Sequence, residues 1–339
     1  MRTSDFDYEL PRERIAQTPL EPRDSSRMLV LDRATGNLTH QIFRDLPSYL
    51  RPNDLLVLNQ TRVIPARLHA YKDSGGKMEV LLLRQEEGLI WECLVGGKGM
   101  RIGRRVTFEG GMSGEVVGEL EGSRRLLCFS APIQDQFDQI GEMPLPPYIH
   151  QRLEDRERYQ TVYGNRLGSA AAPTAGLHFT QRLLDEVSAM GVETAGVTLH
   201  VGLDTFAPVH EDDPRQHKIH SEWIEISPAT VDAIERAKAA GGRVIAVGTT
   251  SARVLESAAA QEGSPRRARA FTGPTELFIL PGYQFRVVDA MITNFHLPKS
   301  TLLMMISAFA GRERVLEAYQ TAVRMEYRFF SFGDAMLIL

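Results

Sequence analysis

The stretch Ser169–Val201 reads SAAAPTAGLHFT, QRLLDEVSAMG and VETAGVTLHV in succession, which predicts a loop, a helix and a strand. Three alanines, Pro173 and Gly176 make the loop a tight segment of small residues that lets the backbone approach a ligand closely. Thr180 is a residue type that caps a helix N-terminus, and Gly191 is a type that ends one. Such a loop can bind a ligand through backbone N–H groups, but the same pattern also serves as a plain tight turn.

Strands and helices alternate from this stretch to the C-terminus. Ser227-Pro228 open a predicted helix, which is followed by the strand RVIAVG, the helix TTSARVLESAAA, the strand FRVVDAMIT and two helices at 301–310 and 312–325. Near the N-terminus, LLVLN is a continuous apolar run of the kind that is buried on both faces of a sheet. We therefore predict an α/β domain with an open, mostly parallel sheet.

Residues 63–148 have a different pattern. Short β-like runs recur there at roughly ten-residue spacing, with Gly-rich or acidic turns and no helical periodicity between them. This predicts a small β-barrel domain at 63–148, inserted into a discontinuous α/β catalytic domain formed by 1–62 and 149–339. The turn GGKGMRIG lacks both phosphate-loop spacings and precedes a strand, so we interpret it as a hairpin connection.

Composition limits the function classes. The chain has 339 residues with 43% hydrophobic and 24% charged residues, which is typical of a globular protein. Its longest apolar run, LLMMISAFA, is about half as long as a membrane span requires, and we expect no signal peptide. The 2 cysteines give no disulfide framework, so we expect a cytoplasmic protein. A net charge of −4 means that any nucleic acid would have to meet a local basic patch.

Polar clusters follow four predicted strands, at the sheet edge where open α/β sheets bind ligands. They are Asn59–Arg62, His200–Asp204, Gly248–Arg253 and Asn294–Ser300. Four such clusters in one position are more than a scaffold needs, so they predict a site. The HxxH pair His217 and His220, with Glu222 and His200, is a further candidate, for a metal. No HExxH motif or cysteine ligand accompanies it, and we expect no metal.

The C-terminal segment YRFFSFGDAML permits two interpretations. It is either a final strand that closes the sheet or an aromatic platform on which a base stacks. Basic stretches, two of them in the barrel segment, are commonly solvated surface but would also suit contact with nucleic acid.

Long motifs resemble one family. NQTRVIPARL, MPLPPYI, GSAAAPTAGLHFT, HVGLDTFAPV, HKIHSEW, AVGTTSARVLES, PGYQFRVVDAMITNFHLPKSTLL and YRFFSFGDAML resemble the S-adenosylmethionine:tRNA ribosyltransferase-isomerases of queuosine biosynthesis. The similarity runs from Asp5 to Leu339. Four positions depart from the family pattern that we expect. The chain has Gln60 where we expect an acid, Ala252 where we expect valine, Glu276 where we expect aspartate and Phe332 where we expect tyrosine.

The resemblance implies a reaction and its partners. The ribosyl part of S-adenosylmethionine, acting as cosubstrate, would be transferred and isomerised onto the aminomethyl group of a deazaguanine (preQ1) at the tRNA wobble position. The products would be epoxyqueuosine-tRNA, adenine and methionine. The resemblance implies no metal or prosthetic group, and an α/β domain with an inserted barrel. We expect no membrane partner and a monomer.

Within that reaction we assign roles to residues of this chain. His178 is our first choice for the base that removes a proton from C5′ of the ribose, with Asp204 and Asp334 in reserve. We expect RNA to contact Arg328 and the barrel arginines Arg101, Arg104 and Arg105. The residues expected to bind the cosubstrate are Thr174, Gly176, Phe179, Tyr148, Thr249, Thr250, Ser251, Arg253, Asn294, His296 and Lys299.

Two other functions compete with this one. An S-adenosylmethionine-dependent tRNA methyltransferase would use the same cosubstrate, but the sequence has no glycine-rich first βα turn followed by an acid at the next strand end. A tRNA-binding module without catalysis would bind RNA and consume no cosubstrate. The released products distinguish the three.

Overall fold

A nine-stranded sheet and a closed β-barrel contain most strands of the protein in its computed structural model, which describes residues 1–97, 99–202, 209–260 and 268–339. Contacts divide the chain into two units. The larger comprises Met1–Thr61, Pro147–Arg166 and Ala172–Leu339, and the smaller comprises Arg62–Pro146 and Leu167–Ala171. No helix of the described residues is long and apolar enough to cross a membrane.

The strands of the described residues, in chain order, are β1 (Arg27–Leu31), β2 (Leu38–Ile42), β3 (Leu55–Asn59), β4 (Thr61–Val63), β5 (Arg67–Lys72), β6 (Lys77–Gln85), β7 (Ile90–Val95), β8 (Arg105–Phe108), β9 (Ser113–Glu119), β10 (Arg124–Phe129), β11 (Gly141–Glu142), β12 (Arg166–Ser169), β13 (Glu193–Leu199), β14 (Glu222–Ile226), β15 (Val244–Val247), β16 (Phe271–Thr275), β17 (Ala290–Asn294) and β18 (Ala335–Ile338). The α-helices are α1 (Phe137–Ile140), α2 (Gln181–Ala189), α3 (Pro228–Ala239), α4 (Thr249–Ala259), α5 (Thr301–Ala310) and α6 (Arg312–Arg324). Short 3-10 helices include Arg23–Ser25, Phe43–Tyr49 and Thr174–His178.

The sheet of the larger unit has the order β16-β14-β13-β3-β15-β17-β18-β1-β2. Its centre, from β13 through β3 and β15 to β17, is parallel, and antiparallel pairings join β14, β16, β18 and β2 to their neighbours. When the direction of each strand is followed through all pairings of the sheet, six strands run in one direction, and β14, β18 and β1 run in the opposite direction. The predicted α/β fold with an open, mostly parallel sheet is confirmed.

The core of this unit follows from the period-two pattern of its strands. Leu56 and Leu58 of β3 and Ile245 and Val247 of β15 belong to one buried cluster, which also includes the apolar face of α2. Leu55 and Val57, which alternate with Leu56 and Leu58, are also fully buried. Both faces of the central sheet are therefore covered, as its continuous apolar strands predict.

The smaller unit contains a six-stranded antiparallel barrel. β5, β6, β7, β10, β9 and β8 pair in that order, and pairing of β5 with β8 closes the barrel. Alternation is clear in β8, where Val106 and Phe108 are buried and Arg105 and Thr107 are exposed. The predicted barrel fold is confirmed. GGKGMRIG joins β7 to β8, which do not pair with each other in the barrel, so the predicted hairpin connection is wrong; Lys98 lies outside the described residues.

Capping residues in the sequence predicted the ends of α2 and the start of α3 correctly. The Thr180 hydroxyl accepts the N–H of Leu183 and caps α2, and Gly191 follows that helix with a φ of 82°. Ser227 caps α3 in the same way, accepting the N–H of Thr230. These predicted caps are confirmed, and they fix where the loops on either side of each helix begin.

Candidate active site

A cleft opens in the larger unit where three parallel strands end. Val201 lies just after β13, Gly248 follows β15 and Asn294 ends β17, and all three line the cleft. The space enclosed within this cleft is about 60 Å³. Among the described residues that line it, none is Asp, Glu, Lys or Arg. Recognition here must depend on hydroxyl, amide, imidazole and backbone groups.

Asn294 joins the loop and the strand ends. Its amide nitrogen donates to the carbonyl oxygen of Phe330 (3.2 Å) and lies 3.2 Å from Nε2 of His178. Its amide oxygen accepts a hydrogen bond from the hydroxyl of Thr174 (2.9 Å). Because Asn294 is only 3% exposed, these bonds fix the orientation of its amide. Thr174 and His178 are the two ends of one 3-10 helix, so Asn294 holds that helix against β17.

His178 is buried and neutral. Its Nδ1 lies 2.7 Å from the hydroxyl of Ser26, and its ring stacks on Phe43 with centroids 5.0 Å apart. Burial lowers its pKa to about 3, with smaller contributions from Arg328 and Arg23. Since Asn294 donates to Nε2, the proton of the neutral ring lies on Nδ1 and is donated to Ser26.

Two threonines of the first turn of α4 lie on the cleft. Thr249 and Thr250 both line it, and Thr249 is 7% exposed. Ser251, the third residue of the turn, is fully buried, and its hydroxyl donates to the carbonyl of Val247 (2.8 Å). Of the three residues predicted here, two therefore face the cleft, and Ser251 is bonded within the fold.

His296 lies on the same cleft. Its Nε2 is 2.7 Å from the hydroxyl of Thr293, and its backbone N–H donates to the hydroxyl of Tyr319 (2.9 Å). Burial lowers its pKa to about 3, so the ring is neutral at pH 7. Tyr148 also lines the cleft. Its hydroxyl lies 2.7 Å from that of Ser331, its ring lies 4.9 Å from the ring of Phe330, and burial raises its pKa.

Comparison with known proteins decides the family. The model of the family described as "Queuosine biosynthesis protein" matches residues 3–338. The chain belongs to this family. It is 55% identical to a curated S-adenosylmethionine:tRNA ribosyltransferase-isomerase from Symbiobacterium thermophilum and 54% identical to one from Carboxydothermus hydrogenoformans, each time over 100% of both chains. The resemblance inferred from sequence is confirmed.

A solved structure supports the fold of the family. The crystal structure of S-adenosylmethionine tRNA ribosyltransferase from Thermotoga maritima has 40% sequence identity to this chain and covers 99% of it, with a TM-score of 0.58. The match extends over 100% of that structure's chain, so the likeness is not limited to one part of it.

Some residues predicted to bind substrate lie in the core of this family member. Phe179 is fully buried and packs edge-on against Phe43, so it does not face the cleft. A Cβ at Gly176 would lie 2.0 Å from the hydroxyl of Tyr163, so a close approach of the Tyr163 side chain requires this glycine. Both residues shape the loop.

Arg253 and Lys299 have partners elsewhere. The guanidinium of Arg253 is paired with Glu222 and donates to the carbonyls of Leu277 and Thr275. Lys299 forms an ion pair with Asp7 at 2.7 Å. Neither residue is among those that line the cleft.

Asp334, one of the two reserve carboxylates, lies in the core. Asp334 is 1% exposed, and its oxygens accept the backbone N–H groups of Arg27 and Arg328, each at 2.8 Å. Burial raises its pKa. The hydrogen bonds of Asp334 connect the loop before β18 to β1, and Asp334 is not among the residues that line the cleft. Asp204 lies outside the described residues.

The arginines expected to contact RNA are in both units. Arg328 is half-buried and donates to the carbonyl of Thr18. In the barrel unit Arg101, Arg104 and Arg105 are exposed, and Arg105 forms an ion pair with Glu115 at 2.9 Å. The HxxH candidate has a partner too, because Nδ1 of His217 lies 2.9 Å from a carboxylate oxygen of Glu211.

Sequence reasoning did not select Ser26 or Thr293, which contact the two buried histidines. The sequence does contain a signal for Thr293, because it is a polar residue near the end of the apolar strand AMITN, where site residues are expected. Ser26 had none, because its contact with His178 spans 152 residues of the chain.

Proposed function

We propose that this chain transfers and isomerises the ribosyl group of S-adenosylmethionine onto an aminomethyl-deazaguanine in tRNA. Its curated relatives carry the name of that activity. The observation that carries the proposal to the site is the cleft at the ends of β13, β15 and β17, which Thr174 and Asn294 line. Asn294 also contacts His178, which lines a second, smaller pocket with Ser26; Ser331 lines both. The cleft lies in a chain that the family model matches over residues 3–338.

The chemistry begins with the acidity of the cosubstrate. The positive sulfur of S-adenosylmethionine stabilises a carbanion at the neighbouring C5′, so a base of ordinary strength held within about 3 Å can remove a proton there. Elimination through the ribose ring then breaks the bond to adenine, which leaves with a proton. The amine of the RNA base attacks the opened sugar, and closure of the epoxide expels methionine.

His178 is the base in this proposal. A pKa of about 3 keeps the ring unprotonated at pH 7 but makes it a weaker base than an ordinary imidazole, so the step depends on the acidity that the sulfonium gives to the C5′ hydrogens. In the free protein Nε2 accepts a hydrogen bond from Asn294, so bound substrate must replace that bond. Ser26 accepts from Nδ1 and would hold the ring in position while the proton is transferred.

Residues that line the cleft have supporting roles. Thr249, Thr250 and Thr174 would bind the cosubstrate, and His296 would orient the ribose or adenine. The aromatic pair of Tyr148 and Phe330 would face the sulfonium, which an aromatic ring stabilises through its electron-rich face. We further propose that the chain acts as a cytoplasmic monomer.

Chromatography of the small-molecule products tests this function. The protein is mixed with S-adenosylmethionine and with tRNA that carries the aminomethyl-deazaguanine, and unmodified tRNA is the control. We expect free adenine only with the modified tRNA. Release of S-adenosylhomocysteine would indicate a methyltransferase, and RNA binding without any product would indicate a binding module.

A further inference from the structure

The hydrogen bonds around His178 run in one direction, from Asn294 to Ser26. The carbonyl oxygen of Phe330 can only accept, so the Asn294 atom that lies 3.2 Å from it is the amide nitrogen. That nitrogen also donates to Nε2 of His178, and the neutral ring therefore donates its Nδ1 proton to the hydroxyl oxygen of Ser26. The hydrogen of the Ser26 hydroxyl must then point to a different acceptor.

Ser26 has no such acceptor within the described residues. Its side chain is 2% exposed, and His178 is the only hydrogen-bond partner that its hydroxyl has there. Both residues line the second, smaller pocket. Since a buried donor without an acceptor is unfavourable, the Ser26 hydroxyl points to a ligand in this pocket.

The second pocket offers mainly hydrogen-bond donors. Besides Ser26 and His178, its polar side chains are those of Arg23, Arg158 and Ser331, and no Asp or Glu is among the described residues that line it. The space that it encloses is about 20 Å³, which is room for one water-sized group. The pocket therefore fits a single oxygen that accepts several hydrogen bonds, and it does not fit a base.

Two guanidinium groups give this pocket a positive charge. The guanidinium of Arg23 donates to the backbone carbonyls of Gln160 (2.5 Å) and Glu157 (2.6 Å) and forms no ion pair within the described residues. Arg158 is paired with Glu21, whose side chain is 77% exposed. Burial, and after it the positive charge of Arg158, lower the pKa of Arg23. An anionic oxygen beside both groups would offset this repulsion.

A phosphate suits the pocket better than the carboxylate of S-adenosylmethionine does. The methionine part of that molecule has an ammonium group beside its carboxylate, which the two guanidinium groups would repel and which no acidic side chain among the lining residues would bind. A phosphodiester has no positive group, and arginine side chains commonly bind it in RNA and DNA.

We propose that the second pocket binds a backbone phosphate of the tRNA, with one phosphate oxygen accepting hydrogen bonds from Ser26, Arg23 and Arg158. This rests on the proposed function, because that function supplies the RNA. Ser331 lines both this pocket and the cleft, so a nucleotide whose phosphate is bound here lies next to the cosubstrate.

The test measures tRNA binding and cosubstrate binding separately. Unmodified tRNA is titrated at several potassium chloride concentrations, and S-adenosylmethionine is titrated by calorimetry at low salt with that tRNA saturating, so that nothing turns over. The proteins are wild type, Arg158→Gln, Ser26→Ala and Arg236→Gln. Arg236 is the control, because it also pairs with a glutamate, Glu193, and does not line the pocket. Thermal unfolding checks that each variant is folded, and Arg158→Gln alone decides the outcome if Ser26→Ala is not.

We expect Arg158→Gln to bind tRNA about 10-fold more weakly at low salt and to lower the log–log salt slope by about one unit. Ser26→Ala should weaken tRNA binding about 10-fold without changing the slope, because the lost group is a neutral hydrogen-bond donor. Both variants should bind S-adenosylmethionine as wild type does, and Arg236→Gln should match wild type with both ligands. Inorganic phosphate, at matched ionic strength, should compete with tRNA for wild type and compete less for Arg158→Gln.

Four results would overturn the phosphate site. Arg158→Gln with the wild-type affinity and salt slope would show that the pocket holds water only. Weaker binding of S-adenosylmethionine with unchanged tRNA affinity would indicate a carboxylate site. Wild type that is saturated with inorganic phosphate and keeps its full tRNA affinity would indicate a site for free phosphate. Wild type that binds no tRNA would overturn the proposed function as well, whereas the other three results would leave that function standing.

Discussion

Acidification from pH 7 to pH 5 should destabilise the larger unit through its two buried histidines. Burial lowers the pKa of His178 and of His296 from 6.5 to about 3. Below pH 6.5 the unfolded chain takes up a proton on each ring and the folded protein does not. Proton uptake by the unfolded chain therefore leaves the free energy of unfolding unchanged above pH 6.5 and decreases it as the pH falls from 6.5 towards 3.

The magnitude follows from the pKa difference. One pH unit corresponds to about 1.4 kcal/mol for each such group. At pH 5, which is 1.5 units below the unfolded pKa, each histidine should lower the free energy of unfolding by about 2 kcal/mol, and the pair by about 4 kcal/mol.

Urea unfolding at the two pH values measures this loss, and variants isolate it. His178→Gln and His296→Gln each remove one titrating ring, so each should reduce the loss between pH 7 and pH 5 by about 2 kcal/mol. Carboxylates that titrate in the same range are common to all three proteins and cancel. A wild-type loss equal to that of both variants would show that the rings are not held neutral.

Four further predictions concern the site and the fold. His178→Ala should lower kcat about 10²- to 10⁴-fold and abolish solvent deuterium exchange at C5′, with cosubstrate affinity little changed; exchange at the wild-type rate would refute its role as base. Gly176→Ala should destabilise the protein by at least about 1–3 kcal/mol in urea unfolding, because its Cβ would lie 2.0 Å from a tyrosine hydroxyl; an unchanged midpoint would contradict that contact. Replacing Arg101, Arg104 and Arg105 by alanine should weaken tRNA binding more than cosubstrate binding and lower its salt dependence by about one unit of log–log slope per lost phosphate contact; a salt-independent affinity would argue against these contacts. Limited proteolysis should release the inserted unit as a soluble fragment with a β-type circular dichroism spectrum, and a helical fragment would contradict this division.

Local chemistry explains what the sequence could predict. Thr180 and Gly191 obey rules that involve only a few neighbouring residues, so the ends of α2 could be read directly. The barrel strands alternate with period two, as β8 shows, and the central strands are apolar without interruption because both sheet faces are covered. Periodicity of this kind does not depend on which distant residue lies opposite.

The details of the site depend on contacts that are distant in the chain. Phe179 follows His178 in sequence, but its side chain packs against Phe43 in the core, while the two hydrogen-bond partners of His178, Ser26 and Asn294, are 152 and 116 residues away. Arg253 follows a turn that faces the cleft, and yet its charge is paired with Glu222. Residue type and position near a strand end indicated the region, whereas only the packed fold distinguishes the side chains that line the cleft.

Isotope tracing tests the proposed reaction most directly. The protein is incubated with modified tRNA and S-adenosylmethionine that is labelled either in the ribose or in the methyl group, and the nucleosides of the tRNA are then separated and counted. We predict that the ribose label enters the tRNA and that the methyl label leaves with methionine. Entry of the methyl label without the ribose label would identify a methyltransferase and contradict ribosyl transfer, as would tRNA that gains neither label.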